Sequence, residues 1–247
     1  MTTEAGTESS TRGWELFARY AYPPNELGYC GPPDASKLLA GSARQPAVAE
    51  HAQGFDGAWP YLEDIARAVG VDDPLDTDVV RNYWLGGPLL EHVDGTRLLA
   101  RLRRAFAGQP TGLLDGLTAT EGVCATHSFH VFIVYPWVRF LGADPTTPLR
   151  ILQSCRIRWG TVDSVEDEHA VIISPPVLFD GGLLLGEPVA ETVRWRRDGT
   201  SLAPRPVPGQ VVAAHWDWLC GDLSDAEESD LAATTRQTLD LVNSIRV

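Results

Sequence analysis

The chain has 247 residues, 44% of them hydrophobic and 21% charged, a composition expected of a soluble globular protein with room for one large domain or two ordinary ones. Its formal charge of −13 repels phosphate backbones and anionic lipid, which argues against nucleic acid and membranes as partners. Eight tryptophans against one methionine point to a core of rigid aromatic rings rather than flexible sulfur side chains.

Residues 1–12 are polar, with no apolar stretch of the kind that targeting sequences carry, and read as a disordered tail of a cytoplasmic protein. Apolar residues then recur at helical spacing. Leu16, Phe17 and Tyr20 begin one stripe, and Leu62, Ile65, Ala66 and Val69 form a second. Leu98, Leu99, Leu102 and Phe106 form a third, entered after Asp94 as N-cap and closed by Gly108. Between the first two stripes, Cys30 sits in a glycine-proline loop, and Asp34 is placed to cap the next helix. Residues 123–141 read as a buried helix broken at Pro136. The fold class is therefore α+β, with an all-α part over residues 13–147 followed by a β part over residues 148–247.

The texture changes near Pro145 and Pro148. Short β-type runs follow at residues 149–152, 157–165, 170–173, 192–195 and 210–218, separated by turns such as Asp180-Gly181-Gly182 and Asp198-Gly199. Pro204, Pro206 and Pro208 exclude a central strand between them. The chain closes on a helix capped by Ser224, with Glu227 completing the capping box.

The four cysteines, Cys30, Cys124, Cys155 and Cys220, form no Cys-x-x-Cys pair, so neither a zinc ribbon nor a secreted disulfide framework is indicated. Two groups of residues carry chemistry. In the first, Cys155 precedes Gly160 and a strand, and Gly209 stands six residues before His215 at the end of another strand. In the second, Cys124, His127 and His130 recur every three residues, so that adjacent members share a helix face. With Cys30 they offer the donors of a metal site or the parts of a thiol-imidazole pair. The plain alternative for each of these residues is a place in the core, since free cysteine and aromatic-flanked histidine are commonly buried.

The ordered string Cys155, Gly160, hairpin, Gly209, His215 and acidic helix resembles the HypC (HupF-type) family of small [NiFe]-hydrogenase maturation chaperones over residues 151–247. Here the family's cysteine is internal, Trp159 replaces the proline before its glycine, and the segment around residues 174–186 is longer. The resemblance implies a small OB-like β-barrel with a C-terminal helix. It also implies a non-enzymatic accessory role, in which Cys155 and His215 hold iron that carries cyanide and carbon monoxide ligands. The implied partners are a HypD-like scaffold and the hydrogenase large-subunit precursor. On this reading Arg156 and Arg158 favour the Cys155 thiolate, and Asp217, two residues beyond His215 on the same strand face, accepts a hydrogen bond from the imidazole. The rival reading is a thiol- or metal-dependent enzyme centred on Cys30, His127 and His130.

Overall fold

The first apolar stripe forms α1 (Gly13–Glu26), which buries Trp14, Phe17, Ala18, Tyr20 and Ala21 on one side. The structure, a computed structural model, describes residues 12–39 and 45–245, so the tail expected over residues 1–12 lies, but for Arg12, outside the described residues. The second stripe forms α3 (Trp59–Val69), which stops at Gly70, whose φ of 72° is a left-handed conformation that glycine adopts without steric cost. The third forms α5 (Gly95–Ala105), with the Asp94 carboxylate accepting from the backbone N–H of Thr96 and Arg97. Asp34 precedes only a short 3₁₀ turn, Ala35–Leu39.

Two further helices, α2 (Gln45–Gln53) and α4 (Thr77–Leu85), were not read from the sequence. α4 is capped by Asp76 and carries Val79, Val80, Tyr83 and Trp84 inward.

The expected long helix over residues 123–141 is instead three short turns. Thr126 caps α6 (His127–Phe129), which runs into a π-turn, His130–Val134, and then a 3₁₀ turn, Pro136–Phe140. Pro136 lacks an N–H and pushes Tyr135 into the extended region, at ψ 142°, so the helix ends there. The run at residues 149–152 is not a strand either. It lies in α7 (Thr146–Cys155), whose buried Pro148, Ile151, Leu152 and Cys155 follow helical spacing. Pro148 stands in the first turn, where its missing donor costs nothing.

The β part is a closed barrel in the order β1-β2-β5-β7-β6, made of β1 (Arg158–Val165), β2 (His169–Ser174), β5 (Val189–Arg194), β6 (Val211–His215) and β7 (Trp218–Asp222). The segment around residues 174–186 forms a separate hairpin of β3 (Val177–Phe179) and β4 (Leu183–Leu185). Gly160 lies where β1 is flanked by β2 and β6, and a Cβ there would stand 2.8 Å from the Ile173 carbonyl oxygen. Gly209 turns into β6 with φ +86°. Residues 203–209 form no strand, as the prolines require.

α8 (Asp225–Ile245) begins at the expected capping box: the Ser224 hydroxyl accepts from Glu227 N–H, and the Glu227 carboxylate accepts from Ser224 N–H. It then packs back on α4 and α6 as well as on β1 and β4. Phe17, Tyr61 and Leu62 from the helices therefore share one apolar cluster with Trp159, Ala213 and Trp218 from the barrel. Val162, Ile172, Val193 and Leu219 fill the barrel interior separately. No helix among the described residues is long and apolar enough to cross a membrane. Replacing Ser224 with alanine is expected to lower stability by about 1 kcal/mol, seen as an earlier urea midpoint at unchanged slope. An unmoved midpoint would mean that packing alone holds the start of α8.

Candidate metal centre

Three donors meet at the seam between the helices and the barrel. His127 opens α6, Cys155 ends α7 and His215 ends β6, and their ligand atoms all lie within 4.8 Å of one another. The three residues are 5%, 3% and 0% exposed. The sequence expectation that Cys155 and His215 converge is met in space, and His127 joins them rather than Cys124 or His130.

The placement of Cys155 follows from how the last carbonyls of α7 are satisfied, since a helix end leaves four of them without partners. Leu152 O accepts from Arg156 N–H, and Ser154 O accepts from Trp216 N–H at 2.8 Å. The Arg158 guanidinium reaches Gln153 O and Ser154 O, bonds Trp216 O across the gap, and pairs with Glu191 at 2.7 Å. One cation thus ties the end of α7 to the turn that follows His215, and a cation is favoured at a helix C-terminus. That turn is strained. Trp216 has φ 52°, a left-handed conformation costly for a bulky residue, and it is held by its backbone bonds and by Tyr29, whose ring lies 4.0 Å away.

Each imidazole is oriented by a backbone carbonyl, and His127 has a second partner at its other nitrogen. His215 Nδ1 lies 2.6 Å from Tyr20 O, so it carries the proton and donates, leaving Nε2 buried and without a partner. His127 Nε2 lies 2.8 Å from Cys155 O, and its Nδ1 lies 3.3 Å from the Tyr83 hydroxyl. The Trp84 ring packs against both imidazoles, at 4.7 and 5.8 Å between centroids.

Burial sets the protonation of all three donors in the neutral direction. It pushes His127 down to about 4, drives His215 well below its ordinary value, and raises the Cys155 thiol well above its own. The histidines are therefore free bases at neutral pH, as metal ligands must be, whereas the thiol needs a cation beside it to ionise. A thiolate with two imidazoles suits zinc, iron(II) or copper rather than magnesium or calcium.

Several sequence expectations are corrected here. Asp217 does not serve His215. Its carboxylate pairs with Arg194 at 3.1 Å and is half-exposed, and the acceptor at the imidazole is the Tyr20 carbonyl. Arg156 and Arg158 do not activate Cys155: Arg156 bonds Gln153 Oε1 and Pro175 O, and Arg158 is committed to the carbonyls and Glu191. His130 bonds the Tyr61 hydroxyl at 3.2 Å, packs against Phe106 and Tyr135, and is pushed down to about 3 by burial. Cys124 precedes the Thr126 cap and so stands off the helix that was expected to carry it, and its thiol is pushed up to about 11, mainly by burial. Cys30 is partly exposed as a residue, yet its thiol is buried and pushed up to about 12. Among the described residues, Cys30, Cys124 and His130 are not part of the donor group. Sequence reasoning missed Tyr20, Tyr83 and Trp84, and only the apolar spacing of α1 and α4 marks them as inward-facing.

The chain belongs to a family of unknown function (DUF6390), whose family model matches residues 9–247, so the helical part and the barrel are matched together. No curated protein and no solved structure matches the chain.

The depressed histidines make stability depend on pH. Below about 6.5 the unfolded chain takes up protons that the folded chain refuses, so acid favours unfolding. For His127 the loss accumulates as pH falls from 6.5 to about 4 and amounts to on the order of 3 kcal/mol. Urea midpoints of the metal-free protein are expected to fall steadily across that window and to fall less in His127→Gln. A flat profile would place the imidazole in contact with water.

Proposed function

We propose that this chain is a metal-handling accessory protein of [NiFe]-hydrogenase maturation, holding an iron unit through Cys155 and His215 with His127 as a third donor. The observation that carries this reading is the pairing of a buried, unpartnered His215 Nε2 with Cys155 and His127 inside a 4.8 Å group. A lone pair left without a partner in a dry interior is costly, and a cation is the partner that imidazole, imidazole and thiol have in common. The order of parts also supports it: Cys155 stands directly before the barrel, His215 ends β6, and the capped helix α8 follows. This is the order on which the resemblance to HypC-type chaperones rests.

In this role the protein supplies an oriented thiolate and imidazoles, excludes water, and releases the thiol proton when iron arrives. The iron, carrying cyanide and carbonyl ligands, is cargo, and the proposed partners remain a HypD-like scaffold and the hydrogenase large-subunit precursor. The near-complete burial of all three donors favours a second reading, a resident metal centre that stays in place.

Two measurements separate these. Protein purified anaerobically after co-expression with the maturation machinery is expected to show cyanide and carbonyl infrared bands, which Cys155→Ser or His215→Ala abolishes. Bands absent here but present in a HypC-type chaperone treated alike would remove the cargo reading. Metal analysis of the same sample, with one zinc or iron per chain in the absence of those bands, would establish the resident centre. No bound metal under any loading condition would overturn both.

A further inference from the structure

The hydrogen bonds around His127 are short of one proton. Three contacts run in series: Cys155 O to His127 Nε2 at 2.8 Å, His127 Nδ1 to Tyr83 Oη at 3.3 Å, and Tyr83 Oη to Gly57 O at 2.9 Å. A neutral imidazole contributes one N–H and a phenol contributes one O–H, so two protons serve three contacts. If Nε2 carries the ring proton and donates to Cys155 O, the phenol must choose between Nδ1 and Gly57 O. If Nδ1 carries it, both bonds of Tyr83 form, Nδ1–H to Oη and Oη–H to Gly57 O, but the Nε2 lone pair faces the Cys155 carbonyl oxygen at 2.8 Å. His127, Tyr83 and Cys155 are buried and Gly57 is half-buried, so water does not readily make up the difference at the imidazole. His215 is better served: its Nδ1–H has a dedicated carbonyl, and its Nε2 makes no hydrogen bond of normal geometry, although the Cys155 carbonyl acts on this ring as well.

We infer that Tyr83 is the positioning residue of the metal centre: when a cation takes the Nε2 lone pair and displaces the Cys155 carbonyl oxygen from it, the chain His127 Nδ1–H to Tyr83 Oη–H to Gly57 O is complete, and Tyr83 locks His127 in the ligating tautomer. This inference rests on the metal-binding reading above and adds to it the residue that decides whether His127 is available. The ring keeps one proton throughout, moved from Nε2 to Nδ1, and the only proton released to solvent is that of the Cys155 thiol. Without the phenol oxygen, Nδ1–H loses its acceptor, and the ring gains most by turning its proton to Cys155 O, which blocks the ligand atom.

The neighbouring Tyr61 provides a matched control. It is as deeply buried, packs against Tyr83 in a tilted arrangement at 5.5 Å between centroids, and shares a hydrogen bond between its hydroxyl and His130, which is outside the donor group. Removing either hydroxyl disturbs the same aromatic core, but only one should affect the metal.

The test is zinc affinity by chelator competition for wild type, Tyr83→Phe and Tyr61→Phe. Tyr83→Phe is expected to weaken binding by about 10- to 100-fold, with Tyr61→Phe within about twofold of wild type. Equal affinity of Tyr83→Phe and wild type, or equal losses in both variants, would overturn the inference while leaving the metal site standing. Wild type that binds no zinc would remove the site itself and this inference with it. Nitrogen-15 spectra of wild-type histidines give a measurement that needs no variant. The zinc-loaded protein is expected to carry the His127 proton on Nδ1, and a proton remaining on Nε2 would overturn the inference.

Discussion

Arg158 is the interaction on which the site depends. It is nearly fully buried, and its guanidinium is divided among two carbonyls at the end of α7, the carbonyl of Trp216 and the Glu191 carboxylate. A buried cation is tolerable only when its nitrogens are bonded and an opposite charge is close, and here all three nitrogens have partners and Glu191 lies 2.7 Å away. The consequence is geometric. Cys155 belongs to a helix and His215 to a strand, and nothing in either element fixes their separation. The guanidinium bridges them by holding the residues on either side: Gln153 and Ser154 before the cysteine, Trp216 after the histidine. Trp216 N–H to Ser154 O closes the same gap a second time.

This clamp also accounts for the strained turn. Trp216 has a backbone conformation that would suit glycine, and the strain is offset by its two backbone bonds and by the face of Tyr29. The turn forces β6 to end at His215 and β7 to start at Trp218, with those two residues paired. Tryptophan at this position contributes what glycine cannot, an aromatic surface that covers the site next to a fully buried imidazole.

The sequence made part of this legible. The helical stripes, the barrel with its interrupting prolines, and the Ser224 box are local patterns, and local patterns survive in the structure. Cys155 and His215 were paired in the sequence by the order and spacing of their motifs, and the structure brings the two donors close together. Asp217 failed for a physical reason. Alternation puts residues 215 and 217 on one face only while the strand continues, and the left-handed Trp216 breaks the strand between them. Residues 149–152 failed because a short Leu-Arg-Ile-Leu run satisfies both a helix and a strand, and the deciding residue, Cys155, lay beyond it. His127 was grouped with Cys124 and His130 because spacing reveals only neighbours on one element. Its actual partners come from α7 and β6, and no periodicity within residues 123–141 reports that.

The charge of the assembled centre adds a constraint that donor type alone does not. Two neutral imidazoles and one thiolate carry a single negative charge, so a bare divalent ion leaves the buried group at +1. Arg158 does not add to this, since Glu191 already neutralises it. An ion bringing one monoanion would leave the group neutral, and the proposed iron, bringing two cyanides, would leave it at −1. A dry pocket penalises any net charge by several kcal/mol before compensation. Exchange of iron would then be governed by what else the metal carries: a change of one anionic ligand moves the centre between charged and neutral, and burial converts that step into a large difference in affinity. The same exclusion of water that strips the histidines of their protons would in this way decide which form of the metal is held and which is let go.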